Sequence, residues 1–550
     1  MSFQIPNEFT DFAGLGFEEV MPIEFNDIDL DRMWPHLLEL LVRFGRIVKS
    51  KTDPMEYDAY ASALSSNTAI VGLAPDRRRE VLDGWTRASL VHMGRKSRRR
   101  DKFQIDYLRP VTAAVYRSGL PRLRRDRRAD VLVYSSCLTE LSRRGTDQGA
   151  TRVLREATIK ALGVGIDFGQ TAEDAPQYDG QSPVDVTARL SLLFMDGIPE
   201  PTGLGKREDY PARTLPGAMD PIGTDLLDCL SAYGGALPAV EITQHLLALM
   251  GIRLFQLPLR YARAFRALLE DGELVEDCTV GLGDNPLELY CDFTRVRGSE
   301  SEALAKTCVQ RDLEVMRQFF ADRLYLRTLI RLDEFLPELT QELQTLRDQP
   351  MEKLRFVLQR AETEDVRRAL QFRLGGLRGL LEKSPEHEAG VKLLEAMQNA
   401  GATVDEQLTQ LLVEGLRKRG LENQVKWFWS TGGINKPYGL LRGTQKARRT
   451  WRYEPSDPLL LAMLLVCFAE DNGTRTRAEM PVAELIERLR ARFGVLIDRP
   501  PAGLDGPDTR AAASANRAAF LRQLQLLGCF DGLSDDLAAQ IVRRPREAAA

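Results

Sequence analysis

Apolar side chains recur at helical spacing along most of this chain. After Pro35, the positions Leu37, Leu38, Leu41, Val42 and Ile47 share one face of a helix. Residues 224–295 read as a compact helical unit. Thr224 caps a first helix carrying Leu226, Leu227 and Leu230, which Gly234-Gly235 ends. Pro238 opens a second with Val240, Ile242, Leu246, Leu247 and Met250, and Pro258 opens a third with Leu259, Ala262, Phe265, Leu268 and Leu269. Asp271-Gly272 stops the third helix, and an extended segment starts at Leu274. Residues 300–420 are nearly continuous amphipathic helix with breaks at Pro337, Pro350, Gly375-Gly376, Pro385 and Gly401. That rhythm predicts a bundle or stacked hairpins.

The C-terminal stretch repeats the three-helix pattern. Ser456 or Asp457 caps a wholly apolar helix over Leu459–Phe468, and Pro481 opens the next. A third helix runs from Arg510 to Leu527 with Gly528 as its stop, and Ile541 to Arg544 form a strand. The stretch 163–222 is rich in Gly, Pro and Asp and is interrupted by one apolar segment, Val186–Met195. The fold class expected is mainly α, a helical bundle with two winged-helix-like (α+β) modules. The expected division is 1–162, a basic helical domain; 163–222, a connector; 223–298, a first module; 299–421, the bundle; 422–455, a basic and aromatic loop region; and 456–550, a second module.

Charge changes this picture locally rather than globally. The chain of 550 residues carries a net charge of −4, so any nucleic-acid surface must be a patch. Residues 77–128 hold 17 Lys or Arg against five acids, a net of +12, which leaves −16 for the rest. The densest part is Arg95-Lys96-Ser97-Arg98-Arg99-Arg100, followed by the run that contains Arg124 and Arg125. Between Asn423 and Tyr453 lie seven Lys or Arg and no acid, interleaved with three of the five tryptophans. Basic side chains meet phosphates and aromatic rings stack on unpaired bases, so Lys426, Trp429, Lys446, Arg448, Arg449, Trp451 and Arg452 are candidate contacts. The same pattern arises when the rings are core anchors and the charges merely flank them.

Two helices add candidates. Arg260, Arg263 and Arg266 form a stripe on the third helix of the first module, the element that would enter a major groove. Arg517 and Arg522 lie on the third helix of the second, beside Asn516, Gln523 and Gln525. Arg, Asn and Gln can read base edges, and they are also ordinary surface residues.

Catalytic readings have less to stand on. Four histidines are scattered and none has a cysteine or second histidine at ligand spacing, so no metal or cofactor is expected. Gly165-Ile166-Asp167-Phe168-Gly169-Gln170-Thr171 is similar to the first phosphate-binding turn of actin-like ATPases, but loop-like sequence follows where a second strand is needed. Gly203-Leu204-Gly205-Lys206-Arg207 lacks the first glycine and the Ser or Thr of a P-loop. Glu288 and Asp292 flank a short apolar run and could serve a scattered carboxylate site, so a cryptic nuclease or ATPase stays open. The seven cysteines include no CxxC pair, which fits reduced, buried thiols in a cytoplasmic protein. The longest apolar run, Leu459–Ala469, is eleven residues, short of the roughly 20 that span a bilayer, so no membrane contact is expected.

Two winged-helix-like units around a bundle, over 224–277 and 456–544, resemble accessory subunits of multi-gene bacterial antiviral defence systems. More distantly they resemble kleisin-type subunits, which bind ATPases through terminal winged helices. The resemblance implies a non-catalytic DNA-binding subunit with an ATPase or nuclease partner. The alternative it implies is a helical scaffold whose winged helices dock that ATPase.

Overall fold

The computed structural model describes residues 23–48, 57–95, 103–109, 112–118, 127–146, 148–196, 203–207, 215–275, 285–332, 336–346, 349–383, 387–531 and 540–545. The organising helices are α1 (Leu30–Val42), α2 (Ala129–Arg143), α3 (Ala150–Leu162), α4 (Pro216–Tyr233), α5 (Ala239–Asp271) and α6 (Glu300–Ile330). They continue with α7 (Leu421–Thr431), α8 (Asp457–Phe468), α9 (Val482–Phe493) and α10 (Pro507–Leu526). Every sheet among the described residues has two strands, so the molecule is mainly helical. None of the described helices is long and apolar enough to cross a membrane.

The centre is α5, which packs against α1, α3, α4, α6, α7 and α8. It is one helix of 33 residues, not the two that Pro238 and Pro258 suggested. A proline inside a helix removes the hydrogen bond to the carbonyl four residues back. For Pro258 that carbonyl is Leu254, and the buried indole of Trp427 on α7 donates Nε1–H to it at 2.9 Å. A partner from another helix thus satisfies the orphan, and the helix continues.

The same device operates on α4. This helix starts at Pro216, eight residues before Thr224, and contains Pro221. The carbonyl that Pro221 orphans belongs to Gly217, and Arg260 Nη1 on α5 donates to it. Thr224 is therefore no cap; its hydroxyl donates to the Asp220 carbonyl at 3.2 Å.

Glycines do not break the bundle where the sequence suggested. Glu364–Leu381 is continuous through Gly375 and Gly376, because Leu370, Leu374, Leu377 and Leu381 bury one face while the glycines look into open space. The expected break at Gly401 holds: it adopts φ +75°, and Thr403 and Glu406 form a capping box for the next helix. Pro337 and Pro350 each start a helix, and Pro385 lies outside the described residues. The apolar helix α8 is buried as its sequence demanded, with Ser456 Oγ accepting from the Leu459 N–H at 3.3 Å.

Distant segments close the core. Leu289–Tyr290 pairs in parallel with Val495–Leu496, and Glu479–Pro481 pairs antiparallel with Ile541–Arg543. Asn516 is fully buried on α10: its Oδ1 accepts from the Phe293 N–H at 2.7 Å, and its Nδ2 donates to the carbonyls of Cys291 and Ile497. A buried charge network links α2, α4, α5 and α9. Asp225 lies 2.6 Å from Arg253 and 2.7 Å from Arg492; Asp228 lies 2.6 Å from Arg492 and 2.7 Å from Arg144. The six described cysteines are buried and free.

Candidate nucleic-acid interface

The second basic block splits into an anchor and a display. Its first part is helix α7 rather than loop, because Val425, Trp427 and Phe428 fall on one face and bury against α5 and α6. Lys426 on its outer side donates to Asn423 Oδ1 at 2.9 Å, and the half-buried Trp429 packs on the core. Lys436 is held by Asp29 at 2.9 Å and Asp31 at 2.5 Å. Burial alone would lower its pKa, but these two carboxylates outweigh it and raise it.

The display is a short loop. Leu441–Arg442 pairs antiparallel with Arg452–Tyr453 and closes the segment between them. Gly443 sits at φ +138°, where a Cβ would come within 2.7 Å of the Thr450 carbonyl, so glycine permits the closure. Trp451 is 0% exposed and donates Nε1–H to the Thr444 carbonyl at 2.9 Å. Thr450 Oγ1 accepts from the Thr444 N–H at 2.9 Å and donates to the Ala447 carbonyl at 2.7 Å. The loop is thus pinned from beneath, and Lys446, Arg448 and Arg449 stand exposed on top of it.

The loop rests on α6. Glu302, Lys306 and Gln310 follow one another at i, i+4 and i+8 on one face. Gln310 Nε2 donates to the Arg448 carbonyl at 3.2 Å, and Arg452 lies 3.6 Å from Glu302 and 2.5 Å from Glu454. Arg442 also faces Glu454, at 3.7 Å. Among the described residues, Lys446, Arg448 and Arg449 have no carboxylate within ion-pair distance. The neighbouring cations Arg442, Arg452 and Lys306 are neutralised. Of the block's rings, Trp427, Phe428, Tyr438, Trp451 and Tyr453 are buried and Trp429 is half-buried.

Helix α10 contributes two more cations. Arg517 is half-buried and Arg522 exposed, neither with a carboxylate partner among the described residues, whereas Arg510 is paired with Asp505 at 2.5 Å. Asn516 and Gln523, which the sequence put on its polar sides, are buried instead; Gln523 donates to Asp457 at 2.9 Å. Phe293, which packs on Phe520 of α10 at 4.9 Å, lies just ahead of α6, so α10 and the loop both flank the first turns of that helix.

The stripe on α5 is divided: Arg260 is buried, while Arg263 and Arg266 are exposed. Arg260 is 3% exposed and serves the Gly217 carbonyl. Arg263 donates to the Pro286 carbonyl at 3.3 Å, and Arg266 is paired with Glu270 at 2.6 Å and Asp322 at 3.1 Å. Of the first basic block, Val91–Arg95 and Phe103–Leu108 form an antiparallel hairpin that Arg95 ends. Lys96, Arg98, Arg99, Arg100, Arg124 and Arg125 lie outside the described residues. Sequence reasoning missed the carbonyl-capping roles of Trp427 and Arg260. The signal for both was a proline within a helical pattern.

The turn similar to an actin-like phosphate loop carries its own anion. Asp174 Oδ2 accepts from the N–H groups of Gln170 and Thr171 at 2.7 and 2.6 Å, the donors that a phosphate would need. Those bonds, Thr171 first, lower the Asp174 pKa. Glu288 accepts from the Ala502 N–H and faces Arg311, while Asp292 accepts from Ser301 and Thr294. Among the described residues no cluster of three His, Cys, Asp or Glu has the geometry to hold a metal ion.

Comparison with known proteins gives one family. The chain matches, over residues 12–546, the family described as methylation-associated defense system protein MAD7. No curated protein and no solved structure matches it.

Proposed function

The chain belongs to the family of methylation-associated defense system protein MAD7, and from that premise we propose that it is the system's non-catalytic nucleic-acid-binding subunit. It grips the phosphate backbone of a duplex through the loop 443–450. The observation that carries this is the exposure of Lys446, Arg448 and Arg449 without acidic partners on a rigidly pinned loop, in a chain of net charge −4. Long-range attraction to a polyanion comes from such local excess. Because Trp427, Phe428, Trp451 and Tyr453 are buried, the loop offers no ring for stacking on unpaired bases. This favours backbone contact over single-strand recognition.

The C-terminal stretch is read as a winged-helix-like module. Support comes from its order: helix α8, the strand Glu479–Pro481, helices α9 and α10, then the strand Ile541–Arg543 paired back to the first. Arg517 and Arg522 on α10 would extend the basic surface. Membership of a defence system makes protein partners part of this reading, and an ATPase or nuclease would supply the chemistry.

Fluorescence anisotropy with duplex and single-stranded DNA of equal length, at several salt concentrations, tests the proposal. Each lost phosphate contact should reduce the slope of log K against log salt by about 0.9. The triple variant K446A/R448A/R449A should therefore flatten it by roughly 2–3 and weaken duplex binding at low salt. Unchanged affinity and slope in that variant, or binding confined to single strands, would refute the reading.

A further inference from the structure

The segment 294–298, between the strand Leu289–Tyr290 and the first turn of α6, is a short loop clamped at both ends. At its start, Thr294 Oγ1 donates to Asp292 Oδ1 at 2.7 Å, and the Val296 N–H donates to Thr294 Oγ1 at 3.3 Å. At its end, the Gly298 N–H donates to Glu302 Oε2 at 2.8 Å, and the Ser299 N–H donates to the Val296 carbonyl at 3.2 Å. Arg295 adopts φ +53°, a left-handed conformation that residues with side chains rarely take. Its guanidinium holds the turn in place: Nη2 donates to the Pro455 carbonyl at 3.3 Å and to Asp457 Oδ1 at 2.5 Å.

The clamp displays two side chains. Val296 is 59% exposed, and Arg297 beside it is exposed with no carboxylate within ion-pair distance among the described residues. Glu302 is engaged by the Gly298 N–H, Lys306 and Arg452, and the exposed Glu300 forms no ion pair with Arg297. Contacts tie the loop to both parts of the candidate interface. On one side, the Asp457 Oδ1 that holds Arg295 also accepts from Gln523 Nε2 at 2.9 Å, next to Arg522 on α10. Phe293 meets the same helix through Phe520 and Asn516. On the other side, the Glu302 that holds Gly298 lies 3.6 Å from Arg452, at the foot of the loop 443–450.

We propose that Arg297 and Val296 enter the minor groove of the bound duplex and give the chain a preference for A·T-rich DNA, an inference that rests on the duplex binding proposed above. Contact with phosphate alone would leave Val296 in water, whereas the sugars and base edges that line a groove offer it an apolar partner. A two-residue tip suits the minor groove, about 6 Å wide, while the major groove, about 12 Å wide, takes a whole helix. Tracts of A·T narrow the minor groove and strengthen its negative potential, which draws arginine into it. The clamped backbone fixes the tip before binding, so little ordering is left for the moment of contact.

The test is fluorescence anisotropy of the full chain with two duplexes of equal length, one carrying A-tracts and one of G·C pairs only, at several salt concentrations. The unmutated chain should bind the A-tract duplex several-fold more tightly. R297A should bring the two affinities together by weakening the A-tract complex more. V296S should weaken the A-tract complex at unchanged salt slope, because an apolar contact releases no counterion. Equal weakening of both duplexes by R297A would make Arg297 a phosphate contact and overturn groove entry. No preference in the unmutated chain, an unaltered affinity in V296S, or a lower Tm in either variant, which would make the loop structural, overturns it too. K446A/R448A/R449A separates the two readings. If that variant loses slope as expected while R297A keeps the preference, only groove entry fails. If it keeps affinity and slope while R297A loses the preference, groove entry is supported and the role of the loop 443–450 fails. Absence of duplex binding by the unmutated chain overturns both.

Discussion

The bond from Trp427 to the Leu254 carbonyl explains how a central helix tolerates Pro258, and a double-mutant cycle measures that explanation. W427F removes the Nε1–H donor and part of the ring. Left without a partner in the core, the Leu254 carbonyl costs about 1–3 kcal/mol. The smaller ring adds a packing loss that depends on the cavity left behind. P258A restores an N–H at position 258, which can donate to the same carbonyl in the ordinary helical pattern. The packing loss from W427F is common to both backgrounds, while the carbonyl penalty arises only with Pro258 present. W427F should therefore destabilise the Pro258 protein by about 1–3 kcal/mol more than it destabilises P258A. Urea unfolding of the four proteins, followed by far-ultraviolet circular dichroism with m-values compared, gives the coupling. A cycle that closes to within about 0.5 kcal/mol, the range of independent sites, would refute the compensation.

Three further outcomes follow from the same contacts. R260M should lose roughly 1.5–3 kcal/mol of stability, the worth of a charged hydrogen bond, with DNA affinity unchanged at every salt concentration; a loss of affinity at unaltered stability would return Arg260 to the DNA surface. D225N breaks a buried carboxylate between Arg253 and Arg492 and should cost about 3–5 kcal/mol. Burial alone would raise the Asp225 pKa, but the two guanidiniums outweigh it and lower it. Its stabilisation is therefore full above the unfolded value of about 4 and is lost as pH falls through the lower folded value. The acid limb of stability against pH should flatten in D225N, and an unchanged limb would contradict the assignment. N516A removes three hydrogen bonds at once and should lower stability by about 3 kcal/mol or more; a melt matching the unmutated chain would show that the Phe293 N–H and the two carbonyls find other partners.

Several features were legible from local pattern, because the physics that fixes them is local. The all-apolar run Leu459–Phe468 had to be buried whatever surrounded it, and Gly528 and Gly401 end helices by their own backbone freedom. The exposed trio Lys446, Arg448 and Arg449 could be marked from charge spacing alone. What sequence could not decide was which cations remain unpaired and which prolines break a helix, since both depend on groups on other elements, as with Arg260 and Gly217, 43 residues apart. Arg260 looked like a surface stripe member, and became a carbonyl cap because it faces the Gly217 carbonyl that Pro221 leaves without a helical donor. Pro258 looked like a helix start, and became interior only because Trp427, 173 positions from Leu254, supplies the missing donor. Asn516 looked like a base-reading side chain and is a core fastener, because the segment after residue 285 folds back onto α10. Helical periodicity thus determined by itself that the chain is mainly helical and where its cations cluster. Only tertiary packing, by placing donors against orphaned carbonyls and carboxylates against guanidiniums, decided which of those cations were left to meet a partner.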